Sequence, residues 1–507
     1  MSRRAYIGRW AVLFCALALP GAARELCLPP VFGEHMVLQR EKPAPVWGMA
    51  PPGARVAVEF AGQRRETVAD AQGGWRVTLE PMAASAAPRP LVVRASPGAA
   101  PLTLGDVVVG EVWLCSGQSN MRFPFRQAKG AAEARADCAG LRWLDFTGRD
   151  YARGRLPADQ LRAVSASNYY STAGWRRSAP DTVADFSAVA YFFGRKLEAD
   201  LGVPVGLIHN AVGGAPVEAF IPAPAFEADE ALRGLLRDWL NNPDYPAWCR
   251  GRARSELAAW VAKPEGAPPH HPYEPGFLFE AGVRPLLPLA LRGAIWYQGE
   301  SNATVDGDRG PAADPALNRL KFLALIRGWR EALGEPTLPF YFVQLPGMNR
   351  DWAPFREMQA EVARGEPHCG MAVAIDVGDP ANVHPVDKQP VGERLALQAL
   401  RKTYGREVAS DGPQCRSCAA RGGEIVLRFE AAGGLATRGG GPPKGFELAG
   451  ADGRFAPAEA RIERATVVVS SPAVAAPRAV RYAWADAPVS NLTDRDGLPA
   501  GPFRAAP

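Results

Sequence analysis

Histidine is scarce in this chain, with six residues among 507, and no hydrophobic run after the N-terminal segment reaches membrane-spanning length. Lysine and arginine do not cluster beyond the first residues, and the formal net charge is only +5. These absences argue against a membrane protein and against a nucleic-acid-binding surface. The small number of histidines also makes it feasible to consider each of them in turn.

Metal-binding motifs are also missing. No H-x-x-x-H motif occurs, and the single C-x-x-C motif, Cys415 with Cys418, has no second pair to complete a four-cysteine zinc site. We therefore expect no metal and no cofactor. For Cys415 and Cys418 we favour a short disulfide in a polar loop, which would suit an oxidising compartment.

The first residues have the pattern of an export signal. A basic stretch is followed by a short apolar stretch and by small residues, which predicts a signal peptide over residues 1–23. Both a twin-arginine signal and an ordinary secretory signal are compatible with the segment "SRRAYIG". We expect an exported protein, located in the periplasm or outside the cell.

The remaining chain divides into three regions. Residues 24–105 and 406–507 contain short β-branched runs separated by turns, which predicts N- and C-terminal β-rich, sandwich-like segments, either separate or packed together. Residues 106–405 instead alternate strand-like runs with amphipathic helical patterns. This alternation predicts an α/β fold with a parallel five-stranded sheet covered by helices. The five runs are 104–115, 203–210, 291–299, 338–345 and 370–377.

Polar residues follow each of the five runs. The segments are "SGQSN", "AVGGAP", "GESNA", "PGMNR" and "GDPANVHPVDK". In an open parallel sheet, the carboxyl ends of the strands form the edge at which ligands bind. We therefore expect serine, glycine, glutamate, asparagine and histidine side chains to meet at one edge.

A serine hydroxyl becomes a useful nucleophile when a neighbouring base, usually histidine, takes its proton. His384 alone is expected in a loop just after a strand and just before a helix. Ser119 is favoured over Ser116, because Ser116 still belongs to the strand and Ser119 lies in the turn that follows. There its backbone N–H can face a developing oxyanion, although a helix N-cap is the structural alternative.

Together these segments resemble the sialate O-acetylesterases, within the SGNH (GDS-type) hydrolase superfamily. The matching segments are "LPPVFGEHMVLQR", "VWLCSGQSNM", "GLIHNAVGGAPVEAF", "GAIWYQGESNA", "DVGDPANVHPVDKQPVGERLAL" and "GLPAGPFR". The resemblance runs from about residue 28 to residue 505. It implies a three-layer α/β/α, flavodoxin-like catalytic domain and a secreted esterase that removes O-acetyl groups from carbohydrates.

The resemblance also implies roles for individual residues. Ser119 corresponds to the nucleophile and His384 to the general base. The donors to the oxyanion would be the backbone N–H groups of Ser119 and of Gly213 or Gly214, with the side-chain amide of Gln298. Glu300 and Asn302 would shape the substrate site by hydrogen bonding.

The third member of a catalytic triad departs from the superfamily pattern. An aspartate is common three residues before the histidine, but this chain has Ala381 there. Asp379, Asp376 or a backbone carbonyl could hold the imidazole instead, and we favour Asp379.

Three functions fit the sequence. The first is an O-acetylesterase acting on sialate-like sugars, the second an acetyl xylan esterase with the same residues, and the third a secreted carbohydrate-binding protein without activity. The intact serine, glycines, glutamine and histidine favour the enzymes. Trp296, Tyr297 and Trp352 could stack on a sugar or belong to the core. The expected partner is an O-acetylated carbohydrate, and the oligomeric state is left open.

Overall fold

The computed structural model describes residues 25–97, 100–134, 138–151, 156–264, 266–430 and 434–507. The predicted signal peptide, residues 1–23, lies outside the described residues.

The N-terminal region is built from short strands. Strand β2 pairs with β5 as a separate antiparallel ribbon, whereas β3 pairs with both β4 and β6. Alternating burial along these strands matches a sheet with one face towards a core. The strands are β1 (Val37–Gln39), β2 (Ala44–Met49), β3 (Arg55–Phe60), β4 (Gln63–Val68), β5 (Gly74–Leu79) and β6 (Ser85–Ser96).

One long strand joins the N-terminal region to the centre of the molecule. Strand β7 (Leu102–Gly117) has 16 residues. Its first half pairs with β6 and β1, and its second half lies inside the central sheet. The domain boundary expected between residues 105 and 106 therefore falls within a continuous strand, so the two regions share a sheet.

The central sheet has more parallel strands than the five expected. Its order is β11-β8-β12-β7-β13-β14-β15, in which β11 is antiparallel and the other six strands are parallel. All five apolar runs form strands, and β8 is the addition. The strands are β8 (Leu141–Asp145), β9 (Thr147–Gly148), β10 (Tyr170–Ser171), β11 (Trp175–Arg177), β12 (Val205–His209), β13 (Gly293–Tyr297), β14 (Phe340–Val343) and β15 (Cys369–Ala372).

Helices lie between the central strands. The longest, α4, α10, α11 and α12, coincide with amphipathic helical patterns of residues 106–405. The helices are α1 (Ser119–Arg122), α2 (Ala158–Arg162), α3 (Pro180–Val183), α4 (Ala188–Leu201), α5 (Ala223–Glu227), α6 (Glu230–Arg233), α7 (Ala247–Glu256), α8 (Ala258–Val261), α9 (Phe277–Gly282), α10 (Pro315–Leu333), α11 (Ala353–Gly365) and α12 (Gln389–Lys402).

Both faces of the central sheet are covered, as strand β14 shows. The rings of Phe340 and Phe342 contact Phe322 of α10, with centroids 6.2 and 4.9 Å apart. Tyr341, between them, is hydrogen bonded on the other face to Thr403, just after α12, at 2.7 Å. Since successive side chains of a strand point to opposite faces, α10 and α12 cover opposite sides of the sheet.

The C-terminal region forms a second sheet with its own hydrophobic core. Seven antiparallel strands follow the order β16-β17-β21-β20-β19-β22-β24, and β18 pairs with β23. Among the described residues, no strand of this region pairs with the N-terminal region, so the two do not share a sheet. The strands are β16 (Gln414–Arg421), β17 (Glu424–Glu430), β18 (Leu435–Thr437), β19 (Phe446–Ala449), β20 (Phe455–Glu463), β21 (Thr466–Ser470), β22 (Ala479–Tyr482), β23 (Leu492–Asp494) and β24 (Phe503–Ala505).

Cys415 and Cys418 do not form the disulfide that the sequence suggested. Both are free thiols, and they lie on strand β16 rather than in a polar loop. The strand pairs with β17, so the backbone is extended where a loop was expected.

Candidate active site

Ser119 lies just beyond the carboxyl end of the central strand β7. Gly117 ends the strand with φ +138°, and a Cβ there would come within 2.1 Å of the Tyr297 carbonyl oxygen on β13. Only glycine allows this approach of the two strands. Gln118 then ties the turn to the next strand end, because its Oε1 accepts the N–H groups of Gly299 and Ser301, both at 3.4 Å. Ser119 follows as the first residue of α1.

One cavity of about 530 Å³ brings most of the expected site residues together. Five of the residues named from the sequence line it: Ser119, Gly213, Gly214, Glu300 and His384. Aromatic and charged side chains complete the walls, among them Tyr151, Tyr169, Trp248, Tyr273, Arg122 and Arg252. The carboxyl edge of the parallel sheet is therefore where these groups converge.

His384 lies half-buried in the loop 378–388, between β15 and α12. Its backbone N–H donates to Asn382 Oδ1 at 2.9 Å, and the preceding carbonyl, that of Val383, accepts from Asn120 Nδ2 at 2.8 Å. Asn120 follows Ser119 directly, so this bond joins the residues next to the expected nucleophile and base. Burial lowers the pKa of the His384 imidazole, and the charge of Lys388 lowers it further. The imidazole is therefore neutral, and able to accept a proton, around neutral pH.

The carboxylate expected to orient His384 is not at the imidazole. Asp379 Oδ1 accepts the backbone N–H groups of Ala381, at 2.9 Å, and Asn382, at 3.2 Å, and so stabilises the turn of its own loop. Asp376 instead forms a two-point ion pair with Arg394 and a further contact with Arg438. Within the described part of the chain, the His384 ring has no hydrogen-bond partner. The geometry therefore does not support Asp379 as the residue that orients the imidazole.

Gly213 and Gly214 lie beside the serine. An added Cβ on Gly213 would be 3.8 Å from Ser119 Cβ, which is ordinary van der Waals contact. Tyr273 Oη donates to the Gly213 carbonyl at 2.8 Å and fixes the peptide that joins the two glycines. Among the described residues, no protein acceptor takes the backbone N–H of Ser119 or of Gly213.

Alanine substitution should destabilise the protein more at Gly214 than at Gly213. Gly214 has φ +73°, and a Cβ there would approach Tyr273 Oη to 2.4 Å and Trp248 to 2.6 Å. We expect Gly214→Ala to lower the free energy of unfolding by about 1–3 kcal/mol, because it combines strain with overpacking. Gly213→Ala, the matched control, should lower it by less than about 1 kcal/mol. Urea unfolding of both variants tests this, and equal losses would contradict it.

Gln298 does not present its amide to this cavity. Its Nε2 donates to Asn302 Oδ1 at 2.7 Å and to the Ala215 carbonyl at 3.4 Å, and the side chain lines a small internal cavity beside Trp296. Alternation along β13 explains this direction, because Gln298 follows Trp296 by two residues and shares its face. The expected contribution of Gln298 to the oxyanion is therefore not supported by its geometry.

Asn302 supports the glycine loop from behind instead of lining the cavity. Its Oδ1 also accepts the Val217 N–H at 3.0 Å, and its Nδ2 donates to Glu218 Oε2 at 2.9 Å. Glu218 is paired in turn with Lys321 at 2.6 Å, and both side chains are buried. This network holds the segment after Gly214 against the segment after β13.

Two residues without a predicted role adjoin the site. Asn120 is fully buried and contacts both Glu300 and the His384 loop, and Lys388 donates to Asn120 Oδ1. Their positions offered a signal, since Asn120 follows Ser119 and Lys388 is four residues after His384. The aromatic candidates Trp296, Tyr297 and Trp352 are all core residues, with at most 1% exposure.

Four of the other histidines are engaged away from the serine. Each forms a close contact with a carboxylate: His35 with Asp106, His209 with Asp145, His270 with Glu274 and His271 with Glu256. Over the described ranges, no group of three or more histidine, cysteine or acidic side chains could hold a metal ion. No helix in those ranges is long and apolar enough to cross a membrane.

The chain is similar to enzymes that act on acetyl esters. It is 30% identical to the sialate O-acetylesterase of Mus musculus over 417 residues, which cover 75% of this chain and 74% of the relative. It is 29% identical to the sialate O-acetylesterase of Rattus norvegicus over 445 residues, covering 80% and 79%. No protein-family model matches the chain.

A solved structure gives the same indication. A carbohydrate acetylesterase from Xanthomonas citri is 36% identical, with a TM-score of 0.76, and the match covers 94% of this chain and 99% of that one. Taken with the α/β fold and the serine-containing cavity, these similarities make the chain a carboxylic ester hydrolase that removes O-acetyl groups. It belongs to the sialate O-acetylesterase family, as the sequence motifs indicated.

Proposed function

We propose that this protein is an exported esterase that cleaves O-acetyl groups from sugars through an acetyl-enzyme formed on Ser119. The observation that carries the proposal is the shared cavity: Ser119 and His384 both line it, and a 2.8 Å hydrogen bond joins the residues beside them. We also assign the central domain to the SGNH hydrolase fold, since its serine and histidine follow parallel strands at one sheet edge.

The proposed reaction has two halves. His384 accepts the proton of the Ser119 hydroxyl as the oxygen attacks the acetyl carbonyl, and the tetrahedral intermediate collapses when the imidazolium gives that proton to the departing sugar oxygen. A water molecule then attacks the acetyl-enzyme, with His384 taking its proton. Cleavage of the acyl bond releases acetate, and the proton returns to the Ser119 oxygen.

Backbone N–H groups would stabilise the oxyanion. The N–H groups of Ser119 and Gly213 have no protein acceptor among the described residues, and Gly214 follows in the same turn. Tyr273 holds this turn through the Gly213 carbonyl. Donors fixed before the reaction stabilise the charge that develops in the transition state, so two or three backbone groups can serve without Gln298.

Ser119 and His384 would act as a dyad. Because the Asp379 and Asp376 carboxylates have other partners, the imidazole depends on the packing of its loop for its orientation. The lowered pKa of His384 keeps the resting imidazole neutral, and so able to accept the Ser119 proton.

The cavity walls favour an acidic sugar. Arg122 lines the cavity, its charge helps to lower the pKa of Asp145, and its guanidinium forms no ion pair with a carboxylate among the described residues. A guanidinium of this kind would pair with the carboxylate of a sialate. We therefore favour an O-acetylated sialate over acetylated xylan, which carries no carboxylate on its xylose backbone.

Acetate release tests the function and the substrate together. We expect the enzyme to release acetate faster from O-acetylated sialic acid than from acetylated xylan, and the Ser119→Ala variant to release it from neither. Faster release from xylan would overturn the preference for an acidic sugar. No acetate from any acetylated sugar would overturn the proposed function.

A further inference from the structure

The side chain of Asn120 connects three parts of the proposed active site. Its Nδ2 donates to Glu300 Oε1 at 2.5 Å and to the Val383 carbonyl at 2.8 Å, and its Oδ1 accepts from Lys388 Nζ. Asn120 is fully buried, so water cannot replace these bonds. One amide thus spans the segment that begins with Ser119 and the loop that carries His384.

Lys388 is an unusual partner for this amide. Its side chain is buried completely, and Nζ lies 4.8 Å from the centre of the Phe123 ring and 5.3 Å from that of Tyr297. Within the described residues, Asn120 is the hydrogen-bond acceptor of the ammonium group. Because an ammonium is unfavourable in such a place unless it is paired, the ring faces and the amide oxygen define its position closely.

Glu300 lies at the other end of the amide. Its exposure is 3%, Oε1 accepts from Asn120, and Oε2 has no hydrogen-bond partner in the described part of the chain. A hydrogen-bond donor, Lys388 Nζ, therefore faces the amide oxygen, and an acceptor, Glu300 Oε1, faces the amide nitrogen. This polarity fixes the orientation of the amide, since a flipped amide would place each end against a group of the wrong kind.

We infer that Lys388, Asn120 and Glu300 form a positioning network that holds the His384 loop against Ser119 and sets the distance between base and nucleophile. The inference rests on the proposed function. None of the three is assigned to the reaction itself: Asn120 acts through the Val383 carbonyl, and Glu300 and Lys388 act by fixing Asn120. We call these three residues the amide network.

The charge of Lys388 gives the network a measurable signature. Lys388 lowers the pKa of His384, and burial lowers the pKa of Lys388 itself to about 7, opposed by Glu300. The titratable groups that face the ammonium are therefore Glu300, His384 and the phenol of Tyr297, whereas neighbouring Asp387 pairs with Lys129 outside. At the acidic pH where His384 titrates, Lys388 is charged.

The first test replaces Lys388 by methionine, which can fill the space against both rings without a charge. We expect the acid limb of the kcat/KM profile to move to higher pH, because His384 no longer has a positive neighbour. We also expect kcat for p-nitrophenyl acetate to fall by about tenfold, with KM within about twofold. Lys129→Met is the matched control, since it removes an exposed lysine that contacts the same loop, and it should change neither quantity.

The second test replaces Asn120 by alanine and remains informative if Lys388→Met fails to fold. Loss of the bond to Val383 frees the His384 loop, so kcat should fall by about 100-fold while KM stays within about twofold. An unmoved acid limb in Lys388→Met, or wild-type kcat in Asn120→Ala, would overturn the inference. Ser119→Ala, measured in the same assays, separates this inference from the proposed function. If Ser119→Ala is inactive, the proposed function stands even when the inference is overturned. If Ser119→Ala is active, the proposed function itself is wrong.

Discussion

Replacing Ser119 by alanine is expected to lower kcat for p-nitrophenyl acetate hydrolysis by at least about 10⁴-fold. The Ser119 hydroxyl is the group that would form the acetyl-enzyme. Among the described residues that line the cavity, Ser119 is the serine that follows the end of β7. Ser301, which also lines it, donates its hydroxyl to the Gly214 carbonyl at 3.0 Å. The loss should appear in kcat and in kcat/KM alike, because the covalent step is removed.

Ser116 provides a matched control three residues away. It is fully buried within β7, does not line the cavity, and its hydroxyl has no hydrogen-bond partner among the described residues. Because Ser116→Ala breaks no bond, we expect kcat within about twofold of the wild type. A variant at Ser116 as inactive as that at Ser119, or a Ser119 variant with substantial activity, would contradict the assignment.

Replacing His384 by alanine should cause the second large loss, about 10²–10⁴-fold in kcat, which is the usual contribution of a general base. In the wild type, activity should fall as the pH drops through the lowered pKa of His384, because protonated imidazole cannot accept the serine proton. That fall should lie at lower pH than the ordinary histidine pKa of about 6.5 predicts. A pH profile of kcat/KM on p-nitrophenyl acetate measures both the loss and the position of the limb.

His270→Ala is the control for this experiment. His270 is exposed, pairs with Glu274 at 2.8 Å, and does not line the cavity. Its removal should leave the acid limb in place. Added imidazole should restore part of the rate of His384→Ala, since a small base can enter the space left by the side chain. An acid limb that persists unchanged in His384→Ala would show that another group is the base.

Much of the fold could be predicted because buried parallel strands are continuous apolar runs. All five runs form strands of the central sheet, whereas β8 was missed. Its sequence, "LRWLD", is short and carries Arg142 and Asp145, so it lacks the apolar pattern used to find the others. Arg142 is nevertheless buried, since it donates to the carboxylate and carbonyl of Asp106. A paired arginine in a strand cannot be distinguished from a surface one without the partner.

The site was predictable as far as backbone position and no further. Ser119, Gly213, Gly214, Glu300 and His384 line the cavity because each follows the carboxyl end of a parallel strand or lies in the loop beyond it. The direction of each side chain could not be predicted in the same way. Gln298 directly follows β13, and the alternation of side chains along that strand directs it to the face that carries Trp296, away from the cavity that Ser119 lines.

The loop beyond β15 shows the same limit. Asp379 is used by two N–H groups of its own turn, which sequence spacing from His384 could not reveal. Lys388 and Asn120 escaped notice for a related reason. Their positions beside Ser119 and His384 are visible in the sequence, but their contact with each other is not, because the two residues are 268 positions apart in the chain.

The most direct measurement of the central claim is the site at which a fluorophosphonate, which reacts with activated serines, becomes attached. We predict one modified peptide, carrying the label on Ser119, with loss of esterase activity in proportion to labelling. The same label should appear in Ser116→Ala and should be absent from Ser119→Ala. Labelling of a different serine, or full inactivation with Ser119 unmodified, would contradict the account.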